Sequence, residues 1–529
     1  MSDKSFIKGT VILMCANAIS KILGAVFKIP LTYILKEEGM AIFNTAFSVY
    51  SMLLSFVISG FPLAISNAVS KNYALKNHSY IKQISSVSSY ILAVIGFFMS
   101  VIMFSCAKFF AFSMKDPNAT LAIKVLSPSI FLVALSTVYK GFFQGSVNMI
   151  PTAISQVLES VIRLAVGFYA AFILIPNGIV LASSGALFGI TFGEFLATSM
   201  LFFMYSYSRK KLPDLGESLS KKHAAKELLS VALPMFLCSF IISALNMLDT
   251  SIIRNALLKI TFSENSAKLF VSEYSKYTPI FNNVSQSLKM NIDGARWLYG
   301  SYSGYAITVF NLPVGIIGAL SASILPVIAG QIAVNNNHGV RKSASFALKL
   351  TFIIAIPFSF TMFFFSKNIL LLLFNNFAAY KLLSLLAPCL IFLCVQQLFS
   401  SFLHASGSIV MPAVITGIGV IIKMIIAILI IPHPKINILG APISAAISFF
   451  ITMIFYTIAA KKRFGFKFCF KDILIKPLFC SLCMLLFMVY TINPLKFFLG
   501  ENTGFIICAI LGCFLYLLIL ILTKTLKRQ

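Results

Sequence analysis

The chain has 529 residues, 59% of them hydrophobic and only 11% charged, and its 42 Lys and Arg against 15 Asp and Glu give a net charge of +27. Soluble proteins carry about 25% charged residues, so a soluble globular fold is excluded. The apolar residues fall in blocks of about 20 or more, the length that crosses a bilayer, and the positive excess reads as basic loops against an anionic leaflet rather than nucleic-acid binding.

The composition predicts an all-α polytopic membrane protein of about 14 transmembrane helices. In chain order the expected spans are 9–33, 41–67, 84–111, 121–147, 150–175, 179–207, 227–250, 298–333, 346–366, 379–402, 409–431, 440–460, 473–492 and 503–523. An even number places both termini on one side. Inner segments would then hold most of the cations, among them Lys71, Lys76, Lys82, Arg209, Lys210, Lys211, Lys461, Lys462 and Arg463. Short outer loops would hold few, such as Lys36 and Lys115. The asymmetry predicts a cytoplasmic N-terminus and C-terminus. Six further Lys and Arg fall in 251–297, read as one long extracytoplasmic segment with room for a short interfacial helix. The ten cysteines read as small apolar-phase residues, neither a disulfide frame nor a metal site.

An internal repeat appears at an offset of 260 residues: His78 with His338, Lys82 with Lys342, Leu126 with Leu386, and Pro128 with Pro388. Phe142-Phe143-Gln144-Gly145-Ser146 lies over Phe402-Leu403-His404-Ala405-Ser406; one inserted residue then puts Pro151 over Pro412, and Arg163 falls one step from that shifted register with Lys423. Six spans per copy keep both copies in one orientation, so the expectation is two parallel six-helix repeats plus two C-terminal helices. The expected division is an N-terminal lobe 1–207, a basic cytoplasmic linker 208–226, a C-terminal lobe 227–460 containing segment 251–297, and a terminal pair with a basic tail in 461–529.

Ionisable residues inside spans are costly and mark functional surfaces. Lys21 and Lys28 are seven apart and share a face of span 1. In span 5, Thr152, Gln156, Glu159 and Arg163 are spaced four, three and four, so they form one polar stripe. Glu159 and Arg163 can pair as i and i+4. Glu194 lies in span 6 and Asp249 ends span 7. The surplus of intramembrane cations predicts an anionic ligand group, which Lys and Arg suit. The candidate substrate residues are therefore Lys21, Lys28, Gln144, Gln156, Glu159, Arg163 and Lys423, with Glu194 and Asp249 as candidate ion-coupling carboxylates. No Walker A motif is present, and no catalytic residues, metal or cofactor are expected.

The stretch from Gly141, GFFQG-x4-IPTAISQVLESVIR, resembles the signature of the stage V sporulation protein B group of polysaccharide exporters. So do Ser20-Lys21-x-Leu23-Gly24, Lys28-Ile29-Pro30-Leu31 and Gly60-Phe-Pro62-Leu-Ala64-Ile-Ser66. Leu298-Tyr299-Gly300, Leu312-Pro313 and Leu325-Pro326 fit the same group. That group belongs to the multidrug/oligosaccharidyl-lipid/polysaccharide superfamily. The resemblance implies a flippase for lipid-linked oligosaccharide or peptidoglycan precursor on an undecaprenyl-pyrophosphate carrier. It further implies the bacterial plasma membrane, spore-cortex or cell-wall synthesis, and cell-wall synthesis machinery as a partner besides membrane lipids. Ile307 and Thr308 stand where lipid II flippases carry an Asp-Arg pair. The competing expectation is an ion-coupled organic-cation antiporter using Glu194 and Asp249, and a non-transporting scaffold is a third.

Overall fold

In hydrocarbon every backbone N–H and C=O must find a partner within the chain. The computed structural model meets that demand with helices nearly throughout. It describes residues 3–523 apart from 147, 214, 216–219, 283, 334–335, 409 and 465–473. The basic tail and the side chain of Lys21 lie outside the described residues. Among the described residues, eleven helices are long and apolar enough to cross a membrane, or up to twelve if one bent pair counts as a single crossing. The fourteen spans expected from the sequence differ in taking Val26–Tyr73 as two crossings and in adding one at 298–333. The chain is a multi-pass membrane protein.

The helices gather into two units, Met1–Asn255 with Ile292–Gly300, and Ala256–Asn291 with Ser301–Gln529. The first holds α1 (Asp3–Ile58), α2 (Phe61–Ala74), α3 (His78–Ser105), α4 (Ala107–Ser113), α5 (Ala119–Leu126), α6 (Pro128–Gly145), α7 (Ile150–Leu174) and α8 (Ile179–Lys210). Most of α9 (Lys221–Leu258) belongs with them. In the second unit α10 (Glu264–Tyr274) and α11 (Val284–Ser287) come first; α12 (Ile292–Gly300) then returns to the first unit. The second unit continues with α13 (Ile307–Ala333), α14 (Asn337–Phe364), α15 (Ser366–Phe374), α16 (Tyr380–Leu386), α17 (Cys389–Ala405), α18 (Val410–Ile430), α19 (Gly440–Phe464), α20 (Lys476–Leu499) and α21 (Glu501–Leu522). Packing therefore does not divide at linker 208–226: span 7 and the start of span 8 go with the first unit.

Breaks in the helices have identifiable causes. Within α1, Lys36 takes a left-handed φ of 53° and splits the helix in two. Gly60, at φ 82°, turns α1 into α2 where a Cβ would lie 2.8 Å from the Ala232 carbonyl. Pro128 has no N–H to give the Lys124 carbonyl, and the Ser127 hydroxyl takes that role at 2.8 Å. The Ser127 carbonyl in turn accepts from the Ser100 hydroxyl at 2.9 Å.

The second unit repeats these solutions near an offset of 260. Ser359 donates to the Ala387 carbonyl at 2.7 Å beside Pro388, where α16 and α17 meet at 46°. Amide bonds from Ser146 to Phe142 and Asn148 to Phe143 close the turn after α6; Ser406 to Phe402 and Ser408 to Leu403 close the turn after α17. Asn77 caps α3 by accepting from the Tyr80 amide, and Asn336 caps α14 by accepting from Gly339. Positions 161–170 and 421–430 follow the same succession of buried and exposed residues.

Segment 251–297, read from the sequence as one piece with room for a short helix, contains α10 and α11. Its start continues α9 and its end lies in α12. Between them, an isolated Thr261–Lys289 bridge and a Ser263–Ser266 capping box hold α10 on its own aromatic core of Phe262, Phe270, Tyr274 and Phe281. Cys480-Ser-Leu-Cys483 forms a CxxC on α20, with both thiols free.

The tightest helix pair in the first unit is α7 against α8. Gly185, Gly189 and Gly193 recur every fourth residue on one face of α8, the spacing that lets membrane helices approach closely. A Cβ on Gly189 would lie 2.3 Å from the Gly167 Cα, and one on Gly193 would lie 2.9 Å from the Glu159 carbonyl. Gly189→Leu must force this seam apart. It is expected to destabilise the fold by about 1–3 kcal/mol or more, read as a lower melting temperature in detergent; an unchanged melting temperature would refute the packing argument.

Candidate functional site

The glycine seam sets the first charged cluster. It brings the Glu159 end of α7 against α8, so that Glu159 and Arg163 stand beside Glu194. Arg163 donates to the Glu159 carboxylate within one helical turn. Their side chains are 15% and 25% exposed, so the pair is sheltered but reachable. Glu194 is buried in α8 and its Oε2 has no hydrogen-bond partner among the described residues. Lys140 of α6 and Tyr50 of α1 lie within electrostatic reach of this group. Two carboxylates and one guanidinium thus gather in the interior of the first unit, with the guanidinium bonded to Glu159.

Thr152 is fully buried, and its hydroxyl and the Oε1 of Gln156 find no partner among the described residues. The polar stripe of α7 accordingly turns inward, with exposed Ile154 and Val161 outside it. Lys28 is half-buried in α1, and its carbonyl accepts from Thr32 at 2.7 Å. Gln144 is half-buried in the last turn of α6. Lys423 is half-buried in α18 of the second unit. Asp249 is buried in α9, one residue before Thr250. The structure sets Glu159 beside Glu194.

A second charged cluster was missed. Asp116, in the turn after α4, is fully buried. Its Oδ2 accepts from Arg254 Nη1 at 2.8 Å and from the Thr45 hydroxyl at 3.2 Å. Its Oδ1 accepts from Arg296 Nε at 3.0 Å. Arg254 is 1% exposed, donates to the carbonyls of Met114 and Ala41 at 3.3 Å each, and lies 4.6 Å from the centre of the Tyr299 ring. Arg296 also donates to Asp293 at 2.8 Å. The Tyr299 hydroxyl donates to Thr250, which meets Ser48. The one available signal was the Lys115-Asp116-Pro117 turn, an acidic residue between apolar helices. Arg254 and Arg296 had been counted as loop cations.

The two halves differ in charge. Helices of the first unit bring carboxylates inward, whereas the sequence from Ser301 to Lys471 contains no Asp or Glu. The charge that α13 to α19 contribute is positive, including buried Lys349 and half-buried Lys423. No group of three His, Cys, Asp or Glu suited to a metal occurs among the described residues.

Removing Asp116 would leave two buried guanidinium groups facing each other. Asp116→Ala is expected to cost about 3–5 kcal/mol of stability, measured by melting in detergent. Arg296→Ala leaves Asp116 with Arg254, so its cost should be clearly smaller; equal costs would contradict this account of the cluster.

A family model described as polysaccharide biosynthesis protein matches residues 6–332, and one described as lipid II flippase MurJ matches residues 299–512. Stage V sporulation protein B of Bacillus subtilis (strain 168) is 25% identical over 455 residues, covering 84% of this chain and 81% of the relative. Lipid II flippase MurJ of the same organism is 23% identical over 528 residues, covering 94% and 90%. Among solved structures, lipid II flippase MurJ in an inward closed conformation superposes with a TM-score of 0.66 at 18% identity, covering 98% of this chain and 99% of that one. An inward-facing multidrug resistance MATE family transporter gives 0.66 at 12% identity, covering 86% and 98%. These similarities establish the fold, and the family match covers more than half of the sequence. The chain belongs to the polysaccharide biosynthesis protein family.

Proposed function

We propose that this protein is a flippase for lipid-linked oligosaccharide or peptidoglycan precursor, carrying an undecaprenyl-pyrophosphate-linked, lipid II-like substrate across the bacterial plasma membrane. It is a transporter and not an enzyme. The observation that carries the reading is the charge distribution. Apolar helices of the second half bring only positive charge inward, and the first adds half-buried Lys28. Charged side chains are rare in membrane-spanning helices and mark functional surfaces, and cations of this kind suit a pyrophosphate. Membership of the family and the likeness to stage V sporulation protein B and lipid II flippase support the substrate class and a role in spore-cortex or cell-wall synthesis.

In this reading two parallel six-helix repeats serve as lobes and alternate access, with linker 208–226 and both termini in the cytoplasm. Lys28 and Lys423 attract the pyrophosphate, with Lys21 as a third cation. Arg163 plays a smaller part than its sequence position suggested, because Glu159 already neutralises it. Gln144 and Gln156 offer amides for sugar or peptide, and the polyprenyl chain stays in lipid. Cell-wall synthesis machinery would receive the product. Ile307 and Thr308 remain a difference from the lipid II flippases.

A second reading has one specific observation behind it. Glu194 and Glu159 are two sheltered carboxylates side by side, with Arg163 bonded to Glu159, an arrangement that suits coupling to a cation or export of an organic cation.

Native mass spectrometry of the purified protein with lipid II separates the two. Lys28→Ala and Lys423→Ala are each expected to weaken lipid II binding about tenfold, equal to about 1.4 kcal/mol, and Arg163→Ala by less. Binding of a cationic dye without lipid II binding, together with loss of drug resistance in Glu194→Gln, would instead establish the cation exporter.

A further inference from the structure

The short helix α12 is out of place in the chain. Residues 256–291 before it and 301–529 after it belong to the second unit, yet Ile292–Gly300 packs within the first. It is fastened there by a charge: Arg296 Nε on Asp116 at 3.0 Å. Tyr299 adds a hydroxyl bond to Thr250 and covers the Arg254 guanidinium. Gly300 lies so close to the Glu37 carbonyl that a Cβ would come within 1.8 Å. Directly after it, Ser301–Ala306 forms a π-helix, a backbone form that is rare and frequent at functional joints.

We infer that Ile292–Gly300 is a detachable latch on the first unit, released at Arg296 and carried by the π-helical joint at Ser301–Ala306. The ownership of Asp116 makes release feasible. When a buried ion pair loses one partner, the charge left behind dominates the cost. Here Asp116 keeps Arg254 and Thr45 after Arg296 departs. Arg296 leaves with Asp293, three residues away on its own helix and 63% exposed. Neither group is stranded. The role of the latch, to free and refasten the start of span 8 during transport, rests on the flippase reading; its existence as a two-position element does not.

The test is cysteine labelling of the full-length protein in nanodiscs, with the ten native cysteines replaced by serine. Leu298 is fully buried in the latched position, so Leu298→Cys reacts with maleimide only when the latch is off. Ala122→Cys, fully buried in α5, reports unfolding of the same unit. Arg296→Ala removes the fastener, and Gly300→Ala pushes the helix off the Glu37 carbonyl without touching a charge. Each is expected to raise labelling at position 298 at least tenfold with no rise at 122. No rise at 298 in either variant, or an equal rise at 122, overturns the latch. Lipid II binding measured on the same preparations reports separately on the flippase reading.

Discussion

A charge among apolar helices has to be met by another charge or by ordered dipoles, and both units are arranged around that demand. Asp116 satisfies it with two guanidinium groups that arrive from α9 and α12, 138 and 180 residues further along the chain. Glu159 satisfies it with Arg163 one turn away. The second half solves the problem differently, since from Ser301 to Lys471 it supplies cations and no carboxylates. A first unit with carboxylates among its helices and a stretch from Ser301 to Lys471 with none give the two repeats different chemistry on a shared scaffold.

That scaffold depends on close backbone approach. Gly167, Gly189 and Gly193 remove the side chains that would hold α7 and α8 apart, and the charged turn of α7 then reaches Glu194. Proline breaks act at the other scale. Pro128 and Pro388 interrupt helices at matching positions, and Ser127, Ser100 and Ser359 cover the carbonyls so exposed. Recurrence of the same serine bonds, turn amides and asparagine caps near an offset of 260 is difficult to obtain except from two copies of one ancestral bundle.

Much of this was legible in the sequence because its causes are local. Helix length, hydropathy and the four-three-four spacing of Thr152, Gln156, Glu159 and Arg163 are set by neighbouring residues, as are the matching prolines. What escaped was tertiary. Arg254 and Arg296 fall in the stretch read as an extracytoplasmic segment and were counted among its loop cations; only folding shows them on one buried carboxylate. Glu194 had no visible partner, because its neighbour lies on another helix across the glycine seam. The left-handed Lys36 that splits α1 carries no glycine to announce it. The division at Asn255, Asn291 and Gly300 could not be read from a linker's composition, since it follows packing and not connectivity.

The central claim is that this polysaccharide biosynthesis protein moves an anionic, lipid-linked glycan. The most direct measurement is transbilayer movement in proteoliposomes loaded with a fluorescent undecaprenyl-pyrophosphate-linked glycan, with an impermeant quencher added outside. The account predicts protein-dependent, saturable exposure of the inner-leaflet glycan, slowed by unlabelled lipid II and unaffected by organic cations. Absence of glycan movement, with the same vesicles accumulating an organic cation, would contradict it and assign the Glu159–Glu194 cluster the leading role.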